Sequence, residues 1–229
     1  MQLKILSWNI WVSGHFDELC GFLKNSGADI IGLQEVQTDD PERDIIGYLT
    51  GLGYQHAFAS MRHSWGGKVY TDGPAVFTKY PIRGTRAHML SETDPRAAVR
   101  ADIDVRGLAL HVVSTHLVHT HQQPSRAQEE QVKNLLKILP QTRTIVMGDF
   151  NATPDSEAIR TMQQNLLDTD PASMPTWSVY EEGCDPCKPQ AIDTRLDYIF
   201  ASKDVKTRSF TVERSQASDH LPVSVIVEL

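Results

Sequence analysis

The chain has 229 residues, 40% of them hydrophobic, enough to bury a sizeable core; that fits one large domain as well as two small ones, and with no extended linker to force a division the reading is a single domain over residues 1–229. Lys and Arg total 22 against 29 Asp and Glu, a formal net charge of -7, which argues against a general polyanion-coating role while leaving room for a local basic groove. No run approaches the roughly 18 apolar residues that a membrane span needs.

The first ten residues, MQLKILSWNI, enter a strand-like pattern without the long apolar stretch of a signal peptide, so the expectation is a soluble, cytoplasmic protein, taken as a monomer. Leu3 to Trp8 reads as a strand. From Phe16 to Asn25 the apolar positions Phe16, Leu19, Cys20, Phe22 and Leu23 suit a helix ending near Gly27, and Asp29 to Gln34 reads as a second buried strand. Further strands are predicted at Pro74 to Thr78, Ala97 to Asp104 and Leu108 to Thr115. Between Ser125 and Leu139 the spacing predicts a helix, with Ser125 and Gln128 placed as a capping box, Val132, Leu135, Leu136 and Leu139 on one face, and Pro140 as the stop. The remaining strands are predicted at Thr144 to Gly148, Arg195 to Ala201, Val205 to Val212 and Pro222 to Val227. Strands interleaved with helices imply an α/β fold with covered sheets. Met61 to Gly73 and Ser173 to Thr194 look least regular, and long loops in compact domains are often functional.

Three cysteines cannot all pair within one molecule, so Cys20, Cys184 and Cys187 are expected to be reduced. Cys184 and Cys187 supply half of a structural zinc site, but the sequence offers no second CxxC and no well-spaced His pair beside them, which leaves a plain loop as the reading. His119 and His121 in HLVHTH match neither a helical HExxH site nor an HxHxDH motif. They are expected to face solvent or the substrate rim.

Polar residues recur where the predicted strands end: Asn9, Glu35, His116, then Asp149 and Asn151 in GDFNATP, Asp197 in RLDYIF, and Asp219 with His220 in SDHLP. In open α/β sheets ligands gather beyond strand carboxyl ends. A pleated backbone puts residues i and i+2 on one side, so Asp149 and Asn151 are expected to face one point, either a metal or a phosphate. Each residue alone would be an ordinary turn former or structural histidine; their combination and order are specific.

In that order SWN, LQE, STHL, GDFN, RLDYIF and SDHLP resemble the endonuclease/exonuclease/phosphatase superfamily over nearly the whole chain. The resemblance implies a two-sheet α/β sandwich of four layers, with mixed, mostly antiparallel sheets flanked by helices, and metal-dependent cleavage of a phosphoester. It implies Mg²⁺, with Mn²⁺ as a substitute, held by Glu35 with Asn9 and Asp219 nearby. His220 would take the place of the base, oriented by Asp197, unless Asp149 handles the attacking water while a protonated His220 stabilises the phosphate. Asn151 would position the nucleophile or a phosphate oxygen, and His116 would hydrogen-bond the transferring phosphoryl group.

His116 stands where abasic-site endonucleases resembling exonuclease III usually carry Tyr, and Ile10 and Trp11 follow SWN without the acid such enzymes often place there. The resemblance therefore leans to the DNase I, sphingomyelinase, 5-phosphatase and tyrosyl-DNA phosphodiesterase branches; within them a phosphodiesterase or nuclease acting on DNA or DNA ends leads, and THL before an RxxQ helix, GDFN, the TW pair and SDH resemble tyrosyl-DNA phosphodiesterase 2. A sphingomyelinase-like or small-molecule phosphoester hydrolase is the alternative. A noncatalytic interaction module on the same fold would lack metal or His residues, and none of that set is missing. Substrate contacts are expected from Trp11, Trp65, Trp177 and Tyr180 as stacking faces, and from Lys68, Arg96 and Arg100 at phosphate.

Overall fold

Strands and helices follow one another in an order that builds two sheets in turn. The structure, a computed structural model, describes residues 1–65, 67–184 and 186–229, without the side chains of His63, Ser64, Trp65 and Lys68. The proposed contacts of Trp65 and Lys68 thus lie outside the described residues. The first stretch runs β1 (Gln2–Asn9), α1 (Phe16–Asn25), β2 (Ile30–Gln34), α2 (Ile45–Gly51), β3 (Gln55–Phe58), β4 (Met61–Trp65), β5 (Lys68–Asp72) and β6 (Ala75–Thr78). The second runs β7 (Ile82–Ser91), β8 (Arg96–Val105), β9 (Leu108–His116), α3 (Arg126–Lys137), β10 (Thr144–Asp149), α4 (Glu157–Asn165), β11 (Leu167–Asp168) and β12 (Asp197–Ala201). Finally β13 (Lys206–Val212) and β14 (Val223–Glu228) return to the first sheet.

One sheet has the order β13-β14-β1-β2-β6-β3 and the other β11-β12-β10-β9-β8-β7. Only β1 with β2 and β9 with β10 pair in parallel; the other named pairings are antiparallel. The central strands β1, β2, β9, β10 and β12 are buried on both faces, and the two-residue period of a strand divides its side chains between two cores. Leu3 and Ile5 join the core between the sheets, whereas Leu6 and Trp8 join the core that contains Leu19 and Leu23 of α1 and Ile45 and Leu49 of α2. On the other sheet Met147 and Ile199 face the central core, while Val146, Tyr198 and Phe200 pack with Val132 and Leu135 of α3 and Ile159 and Met162 of α4. The result is a four-layer sandwich of helices, sheet, sheet and helices. Burying each such aliphatic side chain stabilises the fold by about 1.5–3 kcal/mol.

Two local expectations are corrected. Met61 to Gly73 is not irregular: β4 and β5 pair as a separate ribbon, from Met61 opposite Asp72 to Trp65 opposite Lys68. A ribbon outside both main sheets needs no apolar alternation, and Val69 is 55% exposed. Ser125 does cap α3, its side chain accepting the Ala127 N–H at 3.2 Å, but Gln128 does not complete a box. Instead the buried Gln128 Nε2 donates to the carbonyls of Val118 at 2.9 Å and Asn151 at 2.7 Å, tying the helix to the ends of β9 and β10. Among the described residues, no helix is long and apolar enough to cross a membrane.

Candidate active site

The two parallel pairs place their carboxyl ends at the same edge of the sandwich. Asn9 lies opposite Gln34, just before Glu35, and Asp149 lies opposite both His116 and Asp197. The Ser218 hydroxyl fastens the segment before β14 to this edge by donating to the Asn9 carbonyl at 2.7 Å. Trp8 Nε1 does the same for the His220 carbonyl at 2.8 Å. Trp11, Glu35 and Asn151 at this edge have φ of 51°, 59° and 49°. Such left-handed conformations at non-glycine residues cost on the order of 1–3 kcal/mol and cluster at functional sites.

Asp149 and Asn151 do converge, but not through the pleat. The strand ends at Asp149, and Asn151 N–H turns back to Asp149 Oδ1 at 2.8 Å, a side-chain turn in place of a third strand residue. Preceding Gly148 permits this edge geometry, because a Cβ there would collide with the Thr115 carbonyl oxygen of the neighbouring strand. Asn151 Nδ2 donates to the Leu117 carbonyl at 3.1 Å and to His116 Nε2 at 3.0 Å. Its Oδ1 therefore faces His119 Nδ1 at 2.8 Å as the acceptor.

Asp149 sits at the centre of the group. Its Oδ2 accepts from Asn9 Nδ2 at 3.0 Å and lies 3.3 Å from His116 Nε2 and 3.7 Å from His220 Nε2. The other nitrogen of His220, Nδ1, is 2.8 Å from Asp197 Oδ2. Thr176 fixes that carboxylate: its hydroxyl accepts the N–H groups of Leu196 and Asp197, leaving its own hydrogen for Asp197 Oδ2 at 2.7 Å. Burial would lower the basicity of His220, but Asp197, Asp149 and Asp219 outweigh it and hold the imidazole well above its ordinary pKa. Burial pushes Asp149 up, with His220 opposing and Asp197 reinforcing the shift. Burial likewise raises Asp219 to about 6, again opposed by His220.

These buried carboxylates fit a hard divalent cation. Ligand atoms of Asp149, Asp197 and His220 lie within 4.8 Å of one another, and Asp197 Oδ1 is buried without a hydrogen-bond partner among the described residues. Glu35 and Asp219 line the same cleft, so the donor set is dominated by oxygen, as Mg²⁺ and Mn²⁺ prefer. Asn9 is placed differently from the expectation that its amide oxygen meets the ion. That oxygen accepts the Trp11 N–H at 3.0 Å, while Nδ2 bridges Glu35 Oε1 and Asp149 Oδ2, both at 3.0 Å. Asn9 thus holds the two carboxylates together. Glu35 Oε2 is further held by the Val12 N–H at 2.8 Å.

The cleft measures about 90 Å³, room for several water molecules. Arg96 lines it, is 8% exposed, and has Asp72, Glu35 and Asp149 as its acidic neighbours. Asp72 opposite is raised to about 7, chiefly by burial and then by Glu35. Trp11 lines the wall and stacks on Tyr180 with ring centroids 5.8 Å apart. Trp177 also lines the cleft, though it is buried, and its Nε1 donates to Asp219 Oδ2 at 3.3 Å. Arg100 is a correction: it is absent from the cleft wall, its guanidinium committed to Asp102 and to the Ile138 carbonyl at the end of α3. β8 starts with Arg96 at the active edge and runs antiparallel to β9, with Ala98 opposite Thr115, so Arg100, four residues on and opposite Val113, lies away from that edge.

The expectation of three reduced cysteines is also corrected, since Cys184 and Cys187 are joined as a disulfide and only Cys20 is free. Beside them stand His119 and His121, contributed by the segment after β9. Neither pair alone carries the spacing of a metal site. Sixty-odd residues separate them, and no spacing rule joins ligands that only the fold brings together.

Comparison with known proteins agrees with this geometry. The profile of the Endonuclease/Exonuclease/phosphatase family matches residues 6–220. An endonuclease/exonuclease/phosphatase from Beutenbergia cavernae superposes with a TM-score of 0.81 at 22% identity, covering 100% of this chain and 72% of the other. ANGEL2, a 2',3'-cyclic phosphatase, gives 0.75 at 16% identity over 99% and 95% of the two chains. A mannosyl-6-phosphatase from Bacteroides thetaiotaomicron gives 0.73 at 17% identity over 99% and 100%. At such identities these likenesses establish the fold alone. No curated protein sequence matches the chain significantly.

Proposed function

The chain belongs to the endonuclease/exonuclease/phosphatase family, whose members hydrolyse phosphoesters, and from that premise we propose that it is a divalent-metal-dependent phosphodiesterase acting on a terminal phosphoester, with DNA ends as the leading substrate. The observation that carries the chemistry is the buried Asp197–His220–Asp149 line, with 2.8 Å and 3.7 Å steps, facing Glu35 across one small cleft. Glu35 and Asp219 would hold the cation, which would supply polarisation of the phosphoryl oxygen and stabilise charge on the leaving oxygen.

The residues of the chain do the rest. Asp197 favours the imidazolium of His220, so His220 enters as a hydrogen-bond donor to the phosphoryl oxygens as charge accumulates. Asp149, raised by burial, is suited to receive a proton from water near neutral pH. The water oxygen bonds to phosphorus, the bond to the leaving oxygen breaks, the water proton passes to Asp149, and a solvent proton reaches the leaving oxygen. Asn151 keeps His116 turned toward the reacting group, and Arg96 neutralises a phosphate oxygen.

Trp11, backed by Tyr180, offers a flat wall for a base, sugar or tyrosyl ring beside that phosphate. A second reading, a small sugar or cyclic phosphate, is favoured by a different observation: Arg96 is the one guanidinium among the described cleft residues, in a chain of net charge -7. That arrangement suits one phosphate better than a tracked backbone. The test is a panel of single- and double-stranded DNA, a 5′-phosphotyrosyl oligonucleotide, RNA, a 2',3'-cyclic nucleotide, a sugar phosphate and sphingomyelin. Mg²⁺-dependent release from the DNA ends, lost on chelation, supports the leading reading. Turnover confined to the small phosphates replaces it with the second, and no turnover on any member overturns both.

A further inference from the structure

At the rim of the catalytic cleft, which His119 also lines, the structure gathers a second set of metal-binding side chains, and we propose that His119, His121, Cys184 and Cys187 form a zinc site when the two cysteines are reduced. The four ligand atoms lie within 4.8 Å of one another. Cys184 Sγ is 3.7 Å from His119 Nε2 and 3.5 Å from His121 Nδ1; Cys187 Sγ is 4.0 Å and 3.5 Å from the same atoms. The two nitrogens are 3.0 Å apart. A tetrahedral ion with bonds of about 2.3 Å to sulfur and about 2.0–2.1 Å to nitrogen sets S···N edges of roughly 3.5 Å and an N···N edge of roughly 3.3 Å. The observed spacing needs only small adjustments, apart from parting of the two sulfurs. Two thiolates and two imidazoles select zinc over magnesium.

Two further contacts suit such a site. Cys187 N–H approaches Cys184 Sγ at 3.2 Å, a donor that would stabilise a thiolate. The Leu117 carbonyl accepts from Asn151 Nδ2, which leaves Asn151 Oδ1 to accept from His119 Nδ1–H. The neutral imidazole of His119 then carries its lone pair on Nε2, the atom that faces the sulfurs. Ligand orientation is thus set by a hydrogen bond on the far nitrogen. His121 and the following Gln122 hold φ of 52° and 58°, turning the segment after β9 toward the cysteine loop. A zinc here would clasp that loop, which brings Trp177 and Gly183 to the cleft, onto the strand end that bears His116.

The bonded sulfurs are the oxidised form of the same ligand set. Opening them with a phosphine takes two electrons from phosphorus, which leaves as phosphine oxide with the oxygen of one water, and each sulfur receives a proton. Zinc then displaces two thiol protons.

The experiment uses the whole chain, reduced with a water-soluble phosphine, stripped of metal and titrated with Co²⁺ and then Zn²⁺. Expected are three titratable thiols, a near-ultraviolet thiolate-to-cobalt absorption that saturates at one equivalent, and its bleaching by Zn²⁺. Glu35→Gln keeps this signal, because its ligands belong to the other cluster, so failure here and failure of the catalytic reading are separable. Cys184→Ser with Cys187→Ser abolishes the signal. His121→Ala, which leaves the cysteine loop intact, weakens zinc binding at least about tenfold. Circular dichroism establishes that each variant is folded. A folded, fully reduced wild type that shows no thiolate absorption overturns the proposal, as does absorption that survives loss of both cysteines.

Discussion

Replacing Asp197 with Asn removes one charge and little else, which makes it the sharpest probe of the His220 arrangement. Thr176 already accepts two N–H groups and must donate to the oxygen at the Oδ2 position, so the Asn carbonyl takes that place and continues to accept from His220 Nδ1. The tautomer is kept and the charge is lost. A buried hydrogen bond to a charged group contributes about 2–3 kcal/mol, equivalent to about 30- to 150-fold in rate. Asp197→Asn should therefore lower kcat by about that factor with a smaller change in KM. Without the first of its three acidic neighbours His220 also titrates lower, so the alkaline limb of the pH–kcat profile should move to lower pH. Steady-state kinetics across the pH range, on the member of the panel that is turned over, decides. An unchanged profile with wild-type kcat would refute the coupling of Asp197 to His220.

Glu35→Gln replaces a carboxylate held by Asn9 and Val12, and should raise the Mg²⁺ concentration for half-maximal rate at least about tenfold, as read from metal titrations. In metal-free protein, Asp219 binds a proton up to about pH 6 when folded but only to 3.8 when unfolded, so its contribution to stability is lost as pH rises through that window. His220, raised in the fold, contributes stability that is present below 6.5 and lost as pH climbs through its folded value. Both signs agree: Tm in chelator should fall between about pH 5 and about pH 8, while Mg²⁺ should raise Tm more at the higher pH, and a Tm that rises instead would contradict the assignment. Gly148→Ala should cost about 1–3 kcal/mol or more in denaturant melts through its collision with the Thr115 backbone, and a neutral result would mean that the strand edge is looser than described.

How much of this was legible depended on burial. Phe16 to Asn25 repeats apolar residues at helical spacing and forms the helix with those bounds, because one face packs on a sheet. Strands buried on both sides, such as Thr144–Asp149, announce themselves as apolar runs. Edge and partner-poor elements do not: β7, largely exposed along Ile82–Ser91, has no apolar period, and the short α2 and α4 bury only two and three residues. At the candidate site the motifs brought Asn9, Glu35, His116, Asp149, Asn151, Asp219 and His220 to one cleft, with Asp197 buried against His220, but the orientation of Asn9 and the turn at Asn151 depend on hydrogen bonds between distant strands. Arg100 looked equivalent to Arg96 because a strand pattern does not say which end faces the ligand. The pairing of His119 and His121 with Cys184 and Cys187 leaves no local trace at all.

The most direct test of the account is hydrolysis in ¹⁸O-labelled water by the wild type and His220→Ala, each with Mg²⁺ and with chelator, on whichever phosphoester the panel identifies. The account predicts one labelled oxygen in the phosphoryl product, rate loss on chelation that Mg²⁺ restores, and a fall of about 10²-fold or more in the variant. Label in the released alcohol, or wild-type turnover by His220→Ala, would contradict it.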